Sequence, residues 1–257
     1  MKIFIFADME GCSGISNGEF ISGGRQKFID LGCKFMADDI NACIAGCVEA
    51  GATEIIVRDG HSTGVNVNPA DIDPRADLIQ GATPGVRFPD IDGAAGIILL
   101  GYHAMAGASN ALLDHTFSSR EIQNLYLNGK KVGEIGIDAA IAAEHNVPVL
   151  LVTGDEKACQ EAVSSIPGVR ACPVKKSYGT QGTRLFSPER AHGLIREATV
   201  AAIKRHKRVK PVKVEYPAKI RWEYVERVQI PVKEMYHQID NRTVERTGDS
   251  VETIFLR

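Results

Sequence analysis

KIFIFADMEG, residues 2–11, is the stretch on which the reading of this chain turns. Apolar, β-favouring residues run without interruption from Ile3 to Ala7 and stop at Asp8 and Glu10. A short, wholly apolar run of this kind reads as a strand buried on both faces, the habit of parallel sheets. Two further runs repeat the design. EIIVRDGHS (54–62) delivers His61, and GIILLGYHA (96–104) delivers His103. In open α/β sheets, ligands bind in the crevice beyond the carboxyl ends of the strands. Asp8, Glu10, His61 and His103 are therefore expected on one sheet edge as candidate metal ligands.

Between these strands the spacing predicts a helix over 25–50, from Phe28 and Leu31 through Cys47 and Val48, with Gly51 as its stop. A βαβ unit follows. GVNVNPADIDP (64–74) reads as a loop, 76–79 as a short strand and 104–121 as a long loop over the sheet edge. Loops of that length in compact domains are usually functional. Asn128-Gly129 specifies a two-residue hairpin turn between NLYL and KVGEI. Helices at 134–145, 155–165 and 188–206 alternate with strands at 147–152 and 169–174, leaving 175–187 as a loop. The expectation is an α/β fold with a mostly parallel central sheet flanked by helices. VKVEY, KIRWEYVERVQI and RTVER then alternate at β spacing, and a short capped helix starts at Ser250. The domain reading is 1–210 as an α/β metal-binding catalytic domain and 211–257 as a small β-rich C-terminal appendage, joined through KRHKRVKPVK.

The 257 residues carry a net charge of −2, with 44% hydrophobic and 24% charged residues, the profile of a globular protein with a full core. That balance gives no reason to expect a nucleic-acid partner, and the basic run reads as a solvated helix end and linker. No apolar run approaches the ~18 residues of a membrane span, and no signal-peptide pattern precedes the first strand. Cytoplasmic residence is the expectation. The six cysteines show no CxxC spacing; Cys43 and Cys47 sit on an apolar helical stripe, and Cys12 reads as a loop filler. Metal chemistry should accordingly use oxygen and nitrogen.

Asp8 and Glu10, two apart on an extended chain, project to the same side. Asp59 precedes His61 by two and is a candidate partner orienting a ligand, or else the acceptor of a local turn. Glu134 opens a helix, where an acid also complements the helix dipole. His115, inside the long loop, is a candidate acid, base or nucleophile beside a metal site. Asp155 reads as a helix N-cap, and His145, His192, His206 and His237 carry no assigned chemistry.

ADMEG, DGHS, LGYHA, DHTFSS and VGEIG, in this order, resemble the dinuclear-zinc D-aminopeptidase family of the DppA type, over residues 1 to about 210. The resemblance implies Asp8, Glu10, His61, His103 and Glu134 as metal ligands and His115 as the catalytic histidine. It also implies a homo-oligomer, a decameric ring with active sites facing an inner chamber. This chain has Arg58 where the family commonly has Asn. Five such ligands exceed the three protein ligands of one catalytic zinc. With Asp8 bridging they supply three bonds to each of two ions, and this ligand mix suits zinc, with Mn or Co possible in vitro. The reaction then expected is hydrolysis of the N-terminal amide of short peptides, D-configured by resemblance alone, with water activated by two zinc ions. His115 serves as acid/base or as nucleophile. A two-metal phosphoesterase, another amide hydrolase and a non-catalytic metal-binding protein are the alternatives; no Walker-type loop or Arg cluster favours the first, and the absence of GxGxxG places nucleotide-dependent oxidoreduction lower still.

Overall fold

The computed structural model describes residues 1–228 and 236–256. The chain runs β1 (Lys2–Ala7), α1 (Gln26–Glu49), β2 (Glu54–Asp59), β3 (Asp77–Ile79), β4 (Ile97–Tyr102), β5 (Ile122–Leu127) and β6 (Lys130–Val132). It continues α2 (Glu134–Glu144), β7 (Val149–Asp155), α3 (Glu156–Ser165), β8 (Arg170–Gly179), β9 (Gly182–Leu185) and α4 (Pro188–Ile203). The last elements are β10 (Ala218–Tyr224), β11 (Tyr236–Gln238), β12 (Thr243–Gly248) and α5 (Val251–Leu256).

Seven strands form the main sheet in the order β3-β2-β1-β4-β7-β8-β9. All neighbours are parallel except β9, which returns antiparallel along β8. The expected α/β fold with a mostly parallel central sheet is what the chain adopts. Alternation along β1 divides its side chains between two cores. Ile3, Ile5 and Ala7 pack with α1 and α4, whereas Phe4 and Phe6 pack with α2, α3 and the second sheet. Each such fully buried Ile or Phe contributes about 1.5–3 kcal/mol relative to exposure. This double burial is why the strand could be recognised from its apolar run.

The second sheet is antiparallel, in the order β11-β12-β10-β5-β6. Its β5–β6 hairpin turns on Asn128 and Gly129, both at positive φ (50° and 79°), the backbone that a type I′ turn needs. Ala218, Ile220 and Trp222 of β10 bury into the core that α2 residues also line. Strands from 218–248 therefore share a sheet with the 122–132 hairpin. Two local expectations change. Residues 175–185 are the end of β8 and the hairpin strand β9 rather than a loop, and 212–216 is irregular rather than strand. Residues 229–230, the end of the KIRWEYVERVQI stretch, lie outside the described residues. No helix among the described residues is long and apolar enough to cross a membrane.

Register sets the site. Ala7 pairs with Asp59 across to β2 and with Leu100 across to β4, so β1 and β2 finish level and β4 runs on two residues to Tyr102. Asp8, His61 and His103 leave the sheet at that common edge.

Candidate metal centre

Past the end of β1 the backbone stays locked to β4. Asp8 N–H donates to Leu100 O (2.8 Å) and Gly11 N–H to Gly101 O (2.7 Å). Gly101 has φ +71°, and a Cβ there would lie 2.3 Å from Asp8 O and 2.5 Å from Cys12 Sγ. At Gly11 a Cβ would meet Tyr102 O at 1.9 Å. Glycine is thus required on both strands for the carboxylate-bearing turn to lie flat on its neighbour.

Two buried charges from other elements hold the same turn. The Lys175 ammonium, on β8, donates to the carbonyls of Glu10 (2.6 Å), Cys12 (2.7 Å) and Ile15 (2.9 Å). Asp39, on α1, accepts from Ser13 N–H (2.7 Å) and from the Ser13 hydroxyl. An ammonium has three donors, and all three are used. Asp59 holds the loop after β2 by accepting from Asn66 N–H (2.6 Å) and Asn66 Nδ2 (2.8 Å). Asn66 Nδ2 in turn donates to His61 O (2.7 Å), so Asp59 reaches His61 through Asn66.

The side chains converge in two triads that share Asp8. Asp8 Oδ1 lies 3.1 Å from His61 Nδ1, and Glu10 Oε2 lies 3.0 Å from the same nitrogen. Asp8 Oδ2 lies 3.5 Å from His103 Nε2, and Glu134 Oε1 lies 3.2 Å from that nitrogen. His115 stacks on His103 with ring centroids 3.9 Å apart, its Nε2 3.6 Å from Glu134 Oε1. Ligand atoms of Asp8, Glu10 and His103 all fall within 4.8 Å of one another, as do those of His103, His115 and Glu134. The structure therefore brings Asp8, Glu10, His61, His103, His115 and Glu134 together. Cys12 lies outside these groups, its thiol donating to Asp8 O.

Tautomers follow from the carbonyls behind the rings. His103 Nδ1–H donates to Ala104 O (3.0 Å) and His115 Nδ1–H to Leu113 O (2.8 Å). Each neutral ring then presents the lone pair of Nε2 to the site, the arrangement typical of metal-ligating imidazoles.

Electrostatics make the centre a cation trap. Burial disfavours the charge on His61, but Glu10 and Asp8 outweigh it and push the imidazole up to about 11. His103 is raised in the same way by Glu134 and Asp8 against burial. Burial raises Glu10 and Glu134, yet His61 draws Glu10 well below its ordinary value and His103 draws Glu134 down. Asp8 Oδ2, Glu10 Oε2 and His103 Nε2 are buried without a hydrogen-bond partner. Buried polar atoms almost always have partners. Three orphaned ligand-type atoms in one buried cluster fit divalent cations with oxygen and nitrogen ligands.

A cleft of about 420 Å³ opens over this cluster. Besides ligand-type residues, its walls include Ser62, Asn66, Arg87, Phe117, Ser118 and Arg120. Arg87 and Lys175 carried no readable signal in sequence. Arg87 stands in an irregular segment between β3 and β4, and Lys175 resembles any charged residue near a strand end.

A model of the Peptidase_M55 family, described as D-aminopeptidase, matches residues 1–256. A D-aminopeptidase of Bacillus subtilis (strain 168) is 34% identical over 214 residues, covering 82% of this chain and 77% of that protein. Among solved structures, the Zn-dependent D-aminopeptidase DppA of Bacillus subtilis, described as a self-compartmentalizing protease, superimposes with a TM-score of 0.92. It is 28% identical, and the match covers 99% of this chain and 94% of that one.

Proposed function

This chain belongs to the D-aminopeptidase family and is a metal-dependent aminopeptidase, and on that premise we propose that two zinc ions occupy the two triads sharing Asp8. The carrying observation is that the two Asp8 oxygens face different imidazoles, Oδ1 towards His61 and Oδ2 towards His103. Asp8, Glu10 and His61 would hold one ion, and Asp8, His103 and Glu134 the other. Bound zinc would supply Lewis acidity for the scissile carbonyl and would lower the pKa of a bound water.

The remaining work falls to residues of the chain. His115, with Nδ1–H committed to Leu113 O, offers Nε2 as the base that takes a proton from the attacking water. The same atom then returns it to the leaving amine. Stacking on His103 fixes the plane of this ring. Phe117 N–H donates to Glu134 Oε1 (2.7 Å), which orients that carboxylate. Asp59 positions His61 through Asn66.

The proposed substrates are short peptides carrying an N-terminal D-residue, hydrolysed in the cytoplasm by a homo-oligomer, a decameric ring. The comparison with a self-compartmentalizing protease supports the oligomer. The phosphoesterase alternative finds no support in the family match. Zinc analysis together with a panel of D- and L-aminoacyl p-nitroanilides tests the reading. Two equivalents of zinc and turnover of the D-series are expected; hydrolysis of p-nitrophenyl phosphate with no anilide turnover would refute it.

A further inference from the structure

Arg87 is locked onto the wall of the cleft that contains Asp8, Glu10 and His115. Its Nε–H and one Nη2–H donate to Asp138 at 2.8 and 3.0 Å. The Tyr102 hydroxyl donates to the same carboxylate (2.5 Å), and Asp138 is fully buried. The guanidinium carbon sits 4.4 Å from the Phe6 ring centroid and 5.4 Å from that of Phe117. Arg87 backbone N–H is taken by Glu252 (2.6 Å). The side chain is therefore held in place from several directions.

A guanidinium carries five N–H donors, and Asp138 consumes two. Among the described residues Nη1 has no hydrogen-bond partner. The end-on edge left over pairs one Nη1–H with the second Nη2–H, the two parallel donors that grip a carboxylate bidentately. A buried Arg–Asp pair rarely adds stability over apolar packing of the same volume. Its presence beside the cleft is explained if the remaining edge has a ligand.

Resting on the aminopeptidase reading, the geometry points to Arg87 as the anchor for the free α-carboxylate of the substrate. The amino end of a peptide is drawn to the carboxylate-rich cluster, and its carboxyl end is received by the guanidinium edge. The preferred substrates are then zwitterionic peptides short enough to span one cleft, dipeptides and tripeptides. A volume of about 420 Å³ lies within the usual range for small-ligand sites. Arg120, on the same cleft, is exposed and makes none of the fixing contacts of Arg87.

The test compares D-alanyl-glycine, its C-terminal amide and D-alanyl p-nitroanilide on the zinc-loaded protein. Loss of an ionic hydrogen-bond pair should lower kcat/KM for the amide on the order of 10- to 100-fold relative to the acid, mostly through KM. Arg87→Lys, which keeps a cation for Asp138 but loses the parallel edge, should collapse that acid-to-amide ratio towards one. Arg120→Ala should preserve the ratio. Acid and amide turned over alike by the unaltered protein would overturn the assignment, without needing any variant. So would a ratio abolished by Arg120→Ala and retained in Arg87→Lys. A protein that hydrolyses the anilide but ignores the carboxylate refutes Arg87 alone. One that hydrolyses none of the three refutes the aminopeptidase reading, and Arg87 with it.

Discussion

Replacing Lys175 by Met would remove the ammonium that grips three carbonyls of the turn carrying Asp8 and Glu10. The three bonds are not equivalent. Cys12 O also accepts from Ile15 N–H (3.3 Å), whereas the carbonyls of Glu10 and Ile15 have no second partner among the described residues. Orphaning a buried carbonyl costs about 1–3 kcal/mol, so two together give a loss of about 4 kcal/mol. For a chain of this size that corresponds to a fall in Tm of roughly 8–16 °C. The effect should not stop at stability. Glu10 O is one of the released groups, so the Glu10 carboxylate loses its fixed origin, and zinc affinity should weaken about tenfold. Melting curves of the metal-free protein and competition with a chromophoric zinc chelator measure the two effects separately. A variant that melts lower but binds zinc as tightly as the parent would show that Asp39 and the Gly101 bond hold the turn without Lys175.

His115→Ala should lower kcat by about 10²–10⁴-fold while zinc content stays at the parent level; loss of zinc would make His115 a ligand instead. Gly101→Ala places a methyl against Asp8 O and Cys12 Sγ at positive φ, so it should destabilise by about 2–5 kcal/mol, and a melt unchanged within 2 °C would contradict the close approach. Burial pushes Glu161 up to about 7, against the hydrogen bond from Met105 N–H. The folded chain thus retains a proton between pH 4.5 and 7 that the unfolded chain has released, and this group's contribution to stability falls as pH rises through that window, by about 3 kcal/mol overall. Glu161→Gln should flatten the dependence of unfolding free energy on pH there, and an unaltered profile would refute it.

How much was legible follows from how each feature is encoded. The strands β1, β2 and β4 are buried on both faces, so burial writes itself into the sequence as apolar runs, and the polar residues that end them stand out. The type I′ turn at Asn128-Gly129 was legible because few residues tolerate two successive positive φ angles. Register was not, since nothing local says that Ala7 lies level with Asp59 and Leu100. The β8–β9 hairpin was missed because Lys175 and Lys176 break the apolar pattern. Lys175 is buried for its three carbonyl bonds, a reason that exists only in three dimensions. Pairing of β10 with β5 joins residues almost a hundred apart, beyond the reach of periodicity. At the centre, residue types pointed to a metal, while the division of Asp8 between two imidazoles appears only in the folded chain. Arg87 shows the same limit, because its meaning depends on Asp138 and on which N–H groups remain.

Zinc-edge anomalous scattering from crystals of the zinc-loaded protein would locate the ions themselves. Two peaks are expected in each subunit, one bounded by Asp8, Glu10 and His61 and the other by Asp8, His103 and Glu134. A single peak, or a second one that does not touch Asp8, would rule out a shared Asp8 bridge.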